Sequence, residues 1–197
     1  MLEELVRRNR SYRRFYEDIP VDRETLRGLV DLARTTPSAT NRQPLRYILS
    51  CTRDRNELIF PTLAWASYLP EWGGPAPGER PSAYIVMLAD RRISTSYALD
   101  AGIAAQTIML GATERGLGGC IMMSVRRPQL TEALHIPADY DIVLMLALGK
   151  PKETVVIEAV PPSGDIRYWR DAQGVHHVPK RSLEYLIVEF GQGEQGT

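Results

Sequence analysis

Arg10, Ser11 and Arg13 set two guanidinium forks and a hydroxyl within four residues, directly behind an amphipathic run that begins at Leu2. Guanidinium groups grip phosphate oxygens through paired, charge-assisted hydrogen bonds, so this segment suits a phosphate. A second polar cluster, Pro37-Ser38-Ala39-Thr40-Asn41-Arg42-Gln43-Pro44, is distinguished by its amides. Asn and Gln side chains present a donor beside an acceptor and match the edge of a flavin or a base. Together the clusters point to a nucleotide-like ligand. Each also has an ordinary reading, Arg10 to Arg14 as a solvated basic patch and Ser38 to Gln43 as a loop of common turn formers.

The elements around these groups follow from local pattern. Leu2, Leu5 and Val6 mark a short first helix, while Leu26, Leu29, Val30 and Ala33 repeat at helical spacing behind Asp22, a suitable N-cap. Pro37 ends that second helix, so the amide cluster falls in a loop at the rim of a sheet whose first strand is Leu45 to Cys51. A helix is expected over Arg55 to Tyr68, then a loop or lid from Pro70 to Pro81, where Gly73, Gly74, Pro75, Pro77 and Gly78 oppose regular structure. Tyr84 to Leu88 reads as a strand. Ser94 to Arg115 reads as a long helix with small residues on more than one face, the spine of the domain or of a dimer. Gly116-Leu117-Gly118-Gly119 turns the chain into a strand near Cys120 to Met123, and a short helix follows near Pro128 to Leu134. The apolar run Ile142 to Leu148 suits a central strand covered on both faces. From Lys152 the core pattern is sparse until Leu183, Leu186 and Ile187, so the tail is expected to lie across a body already built, such as a second subunit.

With 197 residues and 44% hydrophobic content, the chain fits one domain with a substantial core. Lys plus Arg equals Asp plus Glu at 24 each, leaving no surplus charge to hold nucleic acid or an anionic membrane. Cys51 and Cys120 form no C-x-x-C pair, and the start Met1-Leu2-Glu3-Glu4 lacks the layout of a secretory signal, which together suggest a cytoplasmic protein. The apolar stretch Ala101 to Ala112 is shorter than the ~20 residues of a membrane span.

Gly116-Leu117-Gly118 follows a helix and enters a strand, the reverse of the Rossmann fingerprint. It reads as a helix C-cap and turn, as backbone approaching a flat ring, or as both. His176 and His177 are neighbours and would point to opposite sides of a strand, and with His135 they show no metal-ligand spacing, so no metal is expected. Neither a nucleophile elbow nor a Walker loop occurs. Trp65, Tyr68, Trp72, Tyr168 and Trp169 fall in loop-like sequence, either as a satellite core or as an aromatic-walled lid.

Four landmarks in chain order resemble the FMN-dependent nitroreductase family over nearly the whole chain. Arg10-Ser11-x-Arg13 is similar to its phosphate segment, and Pro37-Ser38-Ala39-x-Asn41-x-Gln43-Pro44 to its P-S-x-x-N-x-Q-P loop. Asp100-Ala101-Gly102-x-x-x-Gln106 with Gly116-Leu117-Gly118 resembles its long helix and following turn, and Leu148-Gly149-Lys150-Pro151 its last strand exit. Asn9 stands where the family often has Arg, and Met123 where many members have Gly.

The resemblance implies an α+β, nitroreductase-like fold: a single domain over 1–197 with a mixed central sheet flanked by helices, forming an intertwined homodimer whose C-terminal tail crosses to the partner. FMN would lie at the interface, with Arg10, Ser11 and Arg13 on the phosphate and ribityl end and Lys180 or Arg181 adding a cation. Pro37, Ser38, Asn41 and Gln43 would face the flavin of the partner subunit, and Gly118 and Gly119 would bring backbone donors toward the ring. The implied activity is ping-pong transfer of hydride from NADH or NADPH through FMN to a nitroaromatic, quinone or similar small acceptor. No side chain is needed as catalytic acid or base. The same fold also admits reductive dehalogenation, flavin fragmentation or non-catalytic flavin binding.

Overall fold

The computed structural model describes residues 1–189. They form two compact units, divided in sequence after Glu153. The first is built on strands β1 (Phe15–Tyr16), β2 (Leu45–Ser50), β3 (Ala83–Asp90), β4 (Gly118–Met122) and β5 (Tyr140–Pro151). Its helices are α1 (Leu2–Arg8), α2 (Arg23–Arg34), α3 (Arg53–Ile59), α4 (Ala98–Glu114) and α5 (Arg127–Leu134).

β5 is the organising strand. It pairs with β3 along one side and with β4 and then β1 along the other, while β2 closes the far edge against β3. β3 is buried over its whole length because both faces are covered. Ile85 and Met87 of β3 join Leu144, Leu146 and Leu148 of β5 in a core with Leu26, Leu29, Ala104 and Ile108 from α2 and α4. Tyr84, Val86 and Leu88 join Met145 and Ala147 in a second core with Ile59, Leu130 and Trp65 on the opposite face. Full burial of each large apolar side chain contributes about 1.5–3 kcal/mol, so the continuous apolar runs are stable only in this doubly covered position. A bulge opposite Met87 and Leu88 makes Val143 an extra residue on β5 and resets which side chains face which helix layer.

The chain departs from its sequence pattern in instructive places. The helix expected over Arg55 to Tyr68 stops at Ile59 and tightens into a 3-10 turn at Phe60–Thr62. Pro61 lacks the N–H that would continue the ladder. The turn before β4 is made by Gly116, at φ +71°, so Gly118 and Gly119 already belong to the strand. All four ladders of this sheet are antiparallel, so the mixed central sheet that the resemblance implied is not what the strands form; Ser11, outside the strands, makes an isolated parallel bridge to Gly119. The connections between successive strands are long enough for parallel crossovers, so the antiparallel order reflects the ladders themselves, whose perpendicular hydrogen bonds are slightly more stable per residue than the slanted bonds of a parallel pair.

The second unit contains β6 (Val155–Ala159), β7 (Trp169–Arg170), β8 (His176–Lys180) and the short helix α6 (Leu183–Leu186). β8 lies between the others, parallel to β6 and antiparallel to β7. Strand alternation separates the two histidines as expected. His176 is buried, while the ring of His177 sits between Glu158 at 2.8 Å and Asp171 at 3.3 Å and stacks on Trp169. Leu183, Leu186 and Ile187 are largely exposed.

Candidate functional site

Arg10 follows directly on the C-terminal end of α1. Its Nη2 donates to the Val6 carbonyl at 2.6 Å, satisfying one of the acceptors that a helix end leaves open. Ser11 bridges to Gly119, and the Tyr12 amide donates to the Gly119 carbonyl at 2.9 Å, which lays the arginine segment beside the start of β4. Arg8 reaches the Thr113 carbonyl at 3.3 Å, so this assembly sits at the C-terminal end of α4. Within it, Asn9 Nδ2 and Arg10 Nε are buried donors with no hydrogen-bond partner among the described residues. Burying such groups without an acceptor is costly, and an anionic ligand supplies one.

Arg14 is different. It grips Glu79 with two hydrogen bonds of 2.7 and 2.6 Å, and Lys152 adds a third contact at 3.1 Å. The Arg14 bonds, followed by those of Lys152, hold the Glu79 carboxyl down to about 2. Its guanidinium is therefore committed to the fold.

Gly118 and Gly119 are required by close packing inside the chain. A Cβ on Gly118 would lie 2.5 Å from the Tyr12 ring and 2.6 Å from Pro151, and one on Gly119 would strike the Ala147 carbonyl oxygen. Beyond them β4 alternates: Cys120 and Met122 enter the core, and Ile121 and Met123 face outward. Burial pushes the Cys120 thiol up, with nearby Arg13 opposing.

The loop from Pro37 is held by Asp100, a 3% exposed carboxylate in the first turn of α4. Ser38 Oγ donates to Asp100 Oδ2 at 2.5 Å and accepts from the Gln43 amide at 2.9 Å, while the Ala39 amide donates to Asp100 Oδ1 at 2.9 Å. This clamp supports left-handed backbone at Thr40, Asn41 and Gln43, with φ of 52–54°. Such positions cost about 1–3 kcal/mol each and persist only where the surroundings over-determine them. They leave the Asn41 and Gln43 side chains exposed, joined by a 3.0 Å bond from Gln43 Nε2 to Asn41 Oδ1.

Arg10, Ser11 and Arg13 are thus brought to Gly118 and Gly119, and Pro37, Ser38, Asn41 and Gln43 to Asp100, but the two sets stay apart. Asp100 and Thr113 stand at opposite ends of α4, about 20 Å apart at 1.5 Å per residue. The cleft beside the loop, lined by Pro37, Ser38, Gln43, Tyr47 and Asp100, measures about 160 Å³. Ligand pockets typically enclose ~300–1,000 Å³, so this cleft is smaller than a typical ligand site. A larger cavity of about 500 Å³ between Glu17, Asn56, Phe60, Arg80 and Tyr84 contains none of these groups.

Lys180 and Arg181 belong to the second unit. Lys180 ends β8, and the Arg181 guanidinium lies 4.4 Å from the Tyr185 ring centroid. The aromatic loop residues divide. Trp65 is buried, meeting Trp72 edge-on and tilted against Phe60, which makes a satellite core, while Tyr68 is 45% exposed. Sequence pattern missed the carboxylates Glu79, Asp100 and Glu153 that organise both sets. Asp100 carried one signal, its place in the Asp100-Ala101-Gly102-x-x-x-Gln106 landmark. Among the described residues no group of three or more His, Cys, Asp or Glu could hold a metal, and no helix is long and apolar enough to cross a membrane.

A doubly covered sheet with an arginine segment and an amide-bearing loop at opposite ends of one long helix defines the fold as α+β. The chain belongs to the nitroreductase family, whose model matches residues 6–150. It is similar to a putative NADH dehydrogenase/NAD(P)H nitroreductase of Archaeoglobus fulgidus, 27% identical over 148 residues covering 71% of this chain and 80% of that protein. It is also similar to a 4-nitrobenzoate reductase of a Nocardioides species, 29% identical over 194 residues covering 74% and 78%. Among solved structures, a nitroreductase family protein of Streptococcus pneumoniae shares the fold with a TM-score of 0.66 at 19% identity, covering 83% of this chain and 96% of that one. Family members generally use a flavin with NADH or NADPH.

Proposed function

We propose that this chain is an FMN-dependent oxidoreductase that takes hydride from NADH or NADPH and reduces a nitroaromatic, quinone or similar small acceptor in a ping-pong cycle. The observation that carries this reading is the state of the arginine segment. Asn9 and Arg10 keep buried donors without partners among the described residues, beside a backbone bridged to β4, while Arg14 next to them is engaged by Glu79. That donor set fits a terminal phosphate.

Bound FMN supplies hydride acceptance and release at N5 of its ring. Arg10, Ser11 and Arg13 hold its phosphate and ribityl end, with Lys180 or Arg181 as a further cation. Gly118 and Gly119 direct backbone donors toward the ring, and outward-facing Ile121 and Met123 give an apolar surface that sheds water beside it. Pro37, Ser38, Asn41 and Gln43 come from a second copy. Leu99, 71% exposed, Gly102, Ile103 and Leu110 lie on one face of α4 that is apolar except for exposed Gln106. Antiparallel packing of two such helices about a two-fold axis brings the loop end of one chain to the arginine end of the other. The tail beyond Lys152 then crosses to the partner. Protons for the acceptor come from water.

The test is to purify the protein with FMN, add NADH or NADPH without oxygen, and follow flavin absorbance before mixing with a panel of acceptors. Bleaching, followed by reoxidation with a nitroaromatic or quinone, is expected. A colourless protein indifferent to FMN would overturn the proposal.

A further inference from the structure

Glu153 lies two residues beyond β5 and is 8% exposed. Its Oε1 accepts from the backbone N–H of Arg13 and, at 3.1 Å, from that of Arg14. One oxygen thus receives two consecutive amides of the arginine segment. The same stretch is tied by the Lys152 amide, which donates to the Arg14 carbonyl at 2.9 Å, and by the Tyr12 amide on Gly119. The bond from Glu153 to Arg13 spans 140 residues of sequence.

A buried carboxylate next to a phosphate-binding segment has two opposed effects. Its charge repels an incoming anion, whereas its bonds order the backbone that must receive that anion. Ordering a segment costs conformational entropy residue by residue, and a group that fixes it beforehand raises affinity. Repulsion is moderated here because the Arg14 guanidinium interacts electrostatically with the carboxylate, while the amide bonds act directly on the segment.

We propose that Glu153 is a positioning residue for the phosphate-binding segment, a role that rests on reading Arg10, Ser11 and Arg13 as that segment. Its carboxylate oxygen holds the amides of residues 13 and 14 so that the side chains are set before FMN arrives.

The test measures FMN dissociation constants by flavin fluorescence for Glu153→Ala, Glu153→Gln and Glu153→Asp. Arg10→Ala runs beside them, and amide hydrogen exchange at Arg13 and Arg14 is followed in the FMN-free protein. Glu153→Ala should weaken FMN about tenfold or more and speed exchange at both amides. Glu153→Gln keeps an acceptor oxygen at full reach and should stay within about threefold of the parent. Glu153→Asp keeps the charge but withdraws it by one methylene, and should bind more weakly than the Gln variant. Unchanged or tighter binding in both the Ala and Gln variants would show that charge repulsion dominates and overturn the role. If the Ala variant does not fold, the remaining pair decides: Asp weaker than Gln supports positioning, and Asp equal to or tighter than Gln refutes it. Weakened Arg10→Ala with Glu153 variants that match the parent removes only the positioning role. An unaffected Arg10→Ala removes the phosphate assignment beneath it.

Discussion

Replacing Arg10 and Arg14 in turn by alanine should separate ligand affinity from stability. Arg10 donates from Nη2 to the exposed end of α1 and keeps a buried Nε without a partner among the described residues. Its removal should cost the fold about 1 kcal/mol or less but deprive a phosphate of a charged donor. A charged hydrogen bond of about 1.5–3 kcal/mol corresponds to roughly a 10- to 150-fold rise in the FMN dissociation constant. Arg14 should behave in the opposite way. With Glu79, it forms a pair whose side chains are 29% and 16% exposed, and the Glu79 carboxyl moves from 4.5 to about 2. At about 1.4 kcal/mol per pH unit that is on the order of 3 kcal/mol, shared between Arg14 and Lys152. Losing Arg14 should therefore lower Tm by roughly 4–8 °C for a chain of this length while leaving FMN affinity nearly unchanged. The carboxyl is depressed on folding, so the stabilisation is present above about pH 4.5 and is lost as pH falls toward 2; the deficit of the variant should shrink over the same interval. Flavin fluorescence titration and calorimetry read the two effects separately. Equal FMN dissociation constants for the two variants, or a Tm loss in Arg10→Ala as large as in Arg14→Ala, would refute the reasoning.

Gly119→Ala should destabilise by about 2–4 kcal/mol, since the new methyl meets the Ala147 backbone oxygen and β4 must shift against β5; chemical denaturation would show it as a lower midpoint. Asp100→Ala removes the acceptor for Ser38 Oγ and the Ala39 amide and should cost about 1–3 kcal/mol, with amide exchange rising through residues 38–43; unchanged exchange there would mean the loop holds itself. His177 has its pKa raised by hydrogen bonds to Glu158 and then Asp171, so its stabilising effect is full below the ordinary value of 6.5 and is lost as pH rises through the raised one. Trp169 stacks on the ring at 4.8 Å, and its fluorescence should report a pH transition that His177→Gln abolishes.

Local pattern carries some elements and fails at others for identifiable reasons. The Leu26, Leu29 and Ala33 stripe behind Asp22 forms α2, with the Thr25 amide donating to Asp22 Oδ1 at 2.6 Å. Periodicity and capping act over a few residues, which is why they are readable in one dimension. A helix through Pro61 fails because the missing backbone donor outweighs apolar spacing. The short strands from Val155 onward are not legible in the sequence, since β7 has two residues and the five-residue β8, His176–Lys180, lacks the apolar run of a core strand.

By itself, the chain's order of residues determined the buried central strands, the second helix, the irregular loops and the two polar clusters proposed to meet a phosphate and a heterocycle edge. Only the tertiary structure decided what each polar group is occupied with. Arg10 and Arg14 are alike as sequence, but Glu79, 65 residues beyond Arg14, engages one and not the other. Asp100 clamps a loop 61 residues before it, and α4 sets the two clusters at opposite ends of its length. Burial follows periodicity along the chain, whereas pairing depends on which carboxylate folding carries within about 3 Å of a donor.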